Sequence, residues 1–76
     1  MVHAFIMIKT AAGKSEGLLE AIRDLEPVTD AHIVAGNYDI IAEIAAPEVY
    51  DVLEAVSSRM QALEGVSDTK TYIAMD

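Results

Sequence analysis

The chain has 76 residues, 53% hydrophobic and 24% charged, with thirteen acidic against five basic side chains, a formal net charge of −8 and no cysteine. That length leaves room for one small domain spanning 1–76, the apolar content excludes a disordered chain, and the missing thiols exclude disulfide frameworks, thiolate zinc sites and cysteine nucleophiles. The five cations, Lys9, Lys14, Arg23, Arg59 and Lys70, are scattered, so the clustered charge that displaces counterions from phosphates is missing and no direct nucleic-acid contact is expected.

The chain opens on Met1-Val2-His3-Ala4-Phe5-Ile6-Met7-Ile8-Lys9, which has no basic leader and is too short and interrupted to span a bilayer. A cytoplasmic protein without membrane contact is expected, and residues 2–9 read as a strand. Gly13-Lys14-Ser15 then resembles the end of a phosphate-binding loop, but the upstream glycine of that motif would fall on Ile8, so nucleotide binding is not expected. A helix follows over 14–24, with a thin apolar stripe of Leu18, Leu19, Ile22 and Leu25 weakened by Gly17. Strands are expected over 29–36 and 38–45, joined at Gly36-Asn37, both natural turn residues because they accept positive φ. A second helix over 47–62 starts with Pro47 and Glu48 and carries Val49, Val52, Leu53, Val56, Met60 and Leu63 on one stripe. A last strand occupies 68–75.

These elements repeat. Leu25-Glu26-Pro27-Val28-Thr29-Asp30 is answered by Leu63-Glu64-Gly65-Val66-Ser67-Asp68, and the same 38-residue offset (63 − 25) maps Val2, Ala4, Ile6 and Ile8 onto Ile40, Ala42, Ile44 and Ala46. Two β-α-β units with right-handed crossovers predict an α+β, ferredoxin-like βαββαβ fold: a four-stranded antiparallel sheet with two helices on one face. Strands one and three are apolar on both parities, with Val2, Ala4, Ile6 and Ile8 on one side and Phe5 and Met7 on the other, and Ile40, Ala42 and Ile44 opposite Ile41 and Ala45, which indicates burial on both faces. A second copy laid sheet to sheet, as in a dimeric α+β barrel, would cover the face the helices leave open. Without disulfides or metals, such oligomerisation is also how a chain this small completes its core.

Catalytic and metal-binding arrangements do not emerge. His3 and His32 fall on strands separated by strand three, Glu48, Asp51 and Glu54 fit a solvated helix face, and Ser15, Ser57, Ser58 and Ser67 lie in no nucleophile elbow, so neither metal nor cofactor is expected. The distinctive segment is Gly36-Asn37-Tyr38-Asp39, together with Thr69 and Thr71 on the last strand. A hairpin alone would explain the glycine. Yet a zwitterionic amino acid needs backbone N–H groups for its carboxylate, a carboxylate such as Asp39 for its ammonium, and hydroxyls to complete the set.

Gly36-x-Tyr38-Asp39 followed by Ile40-Ile41, the Leu63-Glu64-Gly65-Val66 connector and Thr69-x-Thr71 with Tyr72-Ile73 resemble the effector domain of the Lrp/AsnC transcription regulators over essentially the whole chain. The resemblance implies sheet-to-sheet dimers, rings of dimers, amino acids bound between dimers, and a non-enzymatic role. Gly36, Asp39, Thr69 and Thr71, with Asn37 and Tyr38 as neighbours, are the implied ligand-binding residues. No helix-turn-helix precedes residue 1, so the expected role is sensing or assembly, with a full-length regulator as a further partner. Two alternatives stay open. A dimeric α+β-barrel enzyme, such as a cofactor-free monooxygenase, would need a polar cavity carrying His, Asn or Trp, whereas this chain has no Trp; a purely structural assembly module would leave the pocket empty. The acidic excess suits both an ordinary acidic surface and a high-salt habitat, where repulsion is screened over about 3 Å at 1 M.

Overall fold

The structure, a computed structural model, describes residues 1–76. Seven elements follow in order: β1 (Val2–Thr10), α1 (Ser15–Arg23), β2 (Val28–Ile33), β3 (Ile40–Ala46), α2 (Val49–Glu54), a π-helical segment (Ala55–Met60) and β4 (Val66–Ile73). The strands form one antiparallel sheet in the order β2-β3-β1-β4. This is the ferredoxin-like α+β arrangement that the repeat predicts.

Register decides which side chains share a face. Ala4, Ile6 and Ile8 of β1 stand opposite Ile44, Ala42 and Ile40 of β3, and all six are fully or almost fully buried. Leu18 and Ile22 of α1, with Val52, Ala55, Val56 and Met60 from α2 and the π-helical segment, close over them in one hydrophobic cluster. The buried set contains no polar or charged side chain, so the core is held by apolar burial alone.

The opposite sheet face carries Phe5, Met7, Ile41 and Ala45, each half-buried, and Tyr72, which is 52% exposed. Around them lie His3, Lys9, Glu43, Asp68 and Lys70. Nothing else in the chain covers this face.

Several local features depart from expectation. Strand β2 ends at Ile33 and β3 starts at Ile40, so the tight hairpin becomes a longer connection over 34–39, closed by the Val34 N–H donating to the Asp39 carbonyl at 2.9 Å. Neither Gly36 nor Asn37 has positive φ; that conformation falls instead on Gly13 (φ +78), which turns β1 into α1, and Gly65 (φ +102), which leads into β4. In the second helical stretch Ala55 joins the buried stripe, whereas Val49 and Leu53 are 44% and 51% exposed. Pro47 precedes the helix, and Glu48 caps it, its N–H donating to Asp51 Oδ2 at 3.1 Å. Beyond Glu54 the backbone widens, the Gln61 N–H reaching the Val56 carbonyl five residues back at 3.0 Å, which lets Met60 share the buried face with Ala55 and Val56.

The two sheet edges are treated differently. Because the Val34 N–H turns inward to β3, alternate residues of β2 turn their peptide groups outward, Ala31 among them. The Arg23 Nε and Nη2 groups both donate to the Ala31 carbonyl, at 3.2 and 2.9 Å, and Asp30 Oδ1 accepts from the Ala31 N–H at 3.0 Å. By the same alternation Thr69, Thr71 and Ile73 of β4 face outward, since the Ala74 N–H turns inward to His3. No side chain caps their peptide groups.

Candidate functional site

The connection over 34–39, the end of β1, the start of α1 and the first half of β4 meet at one end of the sheet. Asp39 ties them together. Its N–H donates to the Ile8 carbonyl at 2.9 Å, and its Oδ2 accepts from the Thr10 N–H at 2.8 Å. A few ångströms on, the Thr10 and Ser15 hydroxyls share a hydrogen bond of 2.9 Å, which pins the start of α1 to the end of β1. Half-buried Asp39 is thus a structural fastener through one oxygen, while its Oδ1 has no protein partner.

Lys9 faces the connection from β1. Its Nζ donates to the Asn37 carbonyl at 2.9 Å and lies 5.9 Å from the centroid of the Tyr38 ring, within the range of a cation–π contact. In the strand register Lys9 stands across from Asp68, yet it makes no ion pair with that carboxylate. The N–H groups of Ala35, Gly36, Asn37 and Tyr38 bond to no protein acceptor. This turn therefore carries four N–H groups without a protein acceptor, the Lys9 ammonium bonded to it, and the Asp39 carboxylate next in sequence with one oxygen free. Gly36 is not required sterically, for a Cβ there would meet nothing within 4 Å.

Thr69 stands across from Ile8, the residue that Ile40 flanks from the other side, so Thr69 and Asp39 lie near the same end of the sheet with β1 between them. Adjacent strands are about 4.8 Å apart, which puts roughly 10 Å between the β3 and β4 backbones. The Thr69 hydroxyl accepts from Gln61 Nε2 at 2.8 Å. Thr71 is opposite Ile6, two residues further from that end, and both threonines share the parity of the helix-covered face, whereas Lys9 is on the other. Within one chain the turn and Thr69 share one end of the sheet but are held apart by β1, and Thr71 lies further still.

The surface hollows reflect this separation. One of about 290 Å³ is lined by Gln61, Val66, Ser67, Asp68 and Thr69, and one of about 410 Å³ by Gly13, Ser15, Glu16 and Ile33. Residues 36–39 line none of the chain's hollows. Sequence pattern alone does not mark Lys9, Thr10 or Gln61 as part of this site, and it offers Ser15 only within the phosphate-loop-like Gly13-Lys14-Ser15. For Lys9 a signal existed, since it is one of five cations and ends the apolar run of β1; for the others, the contacts depend on chain-distant backbone that local pattern does not reveal.

His3 and His32 sit on β1 and β2 with β3 between them. His32 Nε2 instead lies 3.1 Å from Asp30 Oδ2 on the edge strand. That hydrogen bond outweighs desolvation and, with the Ala31 N–H, holds the Asp30 carboxyl below its ordinary value of 3.8.

The protein-family model described as "Lrp/AsnC ligand binding domain" matches residues 3–76. The leucine-responsive regulatory protein of Escherichia coli is 29% identical over 56 residues, covering 74% of this chain and 34% of that protein. The chain thus aligns with about a third of the length of the curated relatives it matches. Among solved structures, a Thermus thermophilus protein superposes with a TM-score of 0.95 at 32% identity, over 100% of this chain and 95% of the other. A transcriptional regulator of Neisseria meningitidis, crystallised as an L-Met complex, shares the fold at a TM-score of 0.87 and 17% identity, over 99% of this chain and 50% of the other.

Proposed function

The chain belongs to the Lrp/AsnC ligand binding domain family, and from that premise we propose that residues 1–76 act as one effector domain that binds an amino acid at the turn over 36–39 and works as an assembly of copies. The family consists of regulatory ligand-binding domains, not enzymes, so the monooxygenase alternative falls. One observation carries the ligand reading: four unpartnered N–H groups at residues 35–38 lie beside the Asp39 carboxylate, a donor pole for a ligand carboxylate next to an acceptor for its ammonium. The Neisseria regulator with L-Met, alike in fold, makes amino acids the first ligands to try.

Assembly supplies what one chain lacks. The apolar face of Phe5, Met7, Ile41 and Ala45 is covered by the same face of a second copy, and a ring of such dimers brings the turn of one copy against the Thr69 and Thr71 region of another. A full-length regulator carrying the same domain joins by the same surfaces. With five scattered cations against thirteen acids, the domain itself adds no DNA contact, so a gel shift at physiological salt is expected to show none. No helix is long and apolar enough to cross a membrane.

The test is thermal unfolding of the purified protein against the twenty amino acids. A ligand that binds only the native state raises Tm, by an amount set by about 2.7 kcal/mol at a hundredfold excess over Kd. If no amino acid raises Tm while the oligomer persists, the sensing role is refuted and the purely structural assembly module takes its place.

A further inference from the structure

We propose that Lys9 is the charged anchor for the ligand's carboxylate, so that the site discriminates an α-amino acid from its α-amide; this rests on the amino-acid reading above. Among the five cations, Lys9 is the one bonded to the turn. Arg23 is committed to the Ala31 carbonyl, and Arg59 to the Glu26 carbonyl through its Nη1. The Lys9 ammonium has three donors, of which the Asn37 carbonyl takes one.

Its placement is unusual for a lysine in so acidic a chain. Asp68 stands directly across the strand pair, yet Lys9 forms no ion pair with it and reaches to the Asn37 carbonyl and the Tyr38 ring. There it adds a full positive charge to the unpartnered N–H groups of residues 35–38. Backbone amides alone already favour a carboxylate over an amide carbonyl, but they do so with partial charges only. An ammonium favours the carboxylate, because only then is the hydrogen bond assisted by charge on both sides. Asp39, fixed to the Thr10 N–H through Oδ2, keeps Oδ1 for the ligand's ammonium, and Lys9 and Asp39 form no ion pair that would neutralise the two poles.

The test compares Kd for each of the twenty amino acids and its α-carboxamide, by calorimetry, on the wild-type assembly and on Lys9→Gln and Lys9→Arg. The wild type should prefer the acid by about tenfold or more, the usual weight of a charge-assisted hydrogen bond. Lys9→Gln should weaken the acid by about tenfold more than it weakens the amide, and Lys9→Arg, which keeps the charge, should retain the wild-type preference. Equal weakening of acid and amide in Lys9→Gln would mean that Lys9 only latches the turn, and unchanged discrimination would remove it from the site; either overturns the proposal while the amino-acid reading stands. A wild type that binds neither acid nor amide overturns both. If Lys9→Gln fails to fold, the Lys9→Arg comparison decides: loss of acid preference with the charge retained refutes the anchor.

Discussion

Replacing Gly65 with alanine should be among the most damaging single-methyl additions in this protein, whereas the same change at Gly36 should be harmless. Gly65 has φ +102, and a Cβ there would lie 3.2 Å from Leu18 Cδ1 and 3.3 Å from both Cβ and Cγ of Lys14. A left-handed backbone costs a non-glycine residue roughly 1–2 kcal/mol, and crowding Leu18 adds about 1 kcal/mol, for a total of about 2–3 kcal/mol. In a chain of this size that lowers Tm by roughly 10–20 °C. Gly13 has φ +78 but open space around it, so Gly13→Ala should cost the backbone strain alone, about 1–2 kcal/mol. Gly36 has neither constraint, and Gly36→Ala should be neutral or stabilising by about 0.4–1 kcal/mol through the unfolded chain. Circular dichroism melts of the three variants at one protein concentration provide the assay. If Gly36→Ala lowers Tm as much as Gly65→Ala, the turn geometry described here is wrong.

Met7 and Ile41 face each other on the open side of the sheet, so Met7→Glu or Ile41→Lys should dissociate the oligomer while the fold survives, and Ile6→Asp, pointing into the core, should unfold it; sedimentation velocity with circular dichroism separates the outcomes. Asp39→Asn keeps an acceptor for the Thr10 N–H but removes the charge, so it should abolish an amino-acid-induced Tm rise with little loss of ligand-free stability, whereas Asp39→Ala should also lower the ligand-free stability by about 1–3 kcal/mol; a normal ligand response in Asp39→Asn would remove Asp39 from the site. The Asp30 carboxyl, depressed by His32, contributes stability above the unfolded aspartate value and loses it as pH falls through the lower folded value, so by NMR it should titrate below 3.8 and move upward in His32→Ala. No change in that midpoint would show that the His32 contact does not persist in solution.

The fold was legible because its information is periodic. The 38-residue repeat makes Ala4, Ile6 and Ile8 equivalent to Ala42, Ile44 and Ala46, and strand parity sets them on one face with Phe5, Met7 and Ile41 on the other, whereas which face the helices cover is seen only in the structure. Thr69 and Thr71 share a parity, so their common face could also be read, although not that Lys9 takes the opposite one. The illegible parts are those set by contacts between distant residues. Asp39 meets the Thr10 N–H across 29 positions, and no local pattern marks that amide as a donor in need of a partner. Adjacent Gly36 and Asn37 look like a tight hairpin, but Asp39 binds sideways to β1, and the chain takes a wider path that needs no positive φ. The π-helical segment is invisible for a similar reason: the residues over 55–60 are compatible with an α-helix, and the wider turn appears only when Met60 must reach the sheet beside Ala55 and Val56.

The capped peptide of Ala31 bears on what this sheet can become when crowded with copies of itself. Fibrous growth by strand addition is a head-to-tail polymerisation, and every unit must offer two reactive ends. With Arg23 on its carbonyl and Asp30 on its N–H, the middle of β2 is closed to an incoming strand, so only β4 remains reactive. A molecule with one reactive end can pair but cannot polymerise: two copies joined through β4 would present only closed β2 edges to the solution. In polymer terms Arg23 and Asp30 together are a chain stopper. Losing both would turn a monofunctional unit into a bifunctional one.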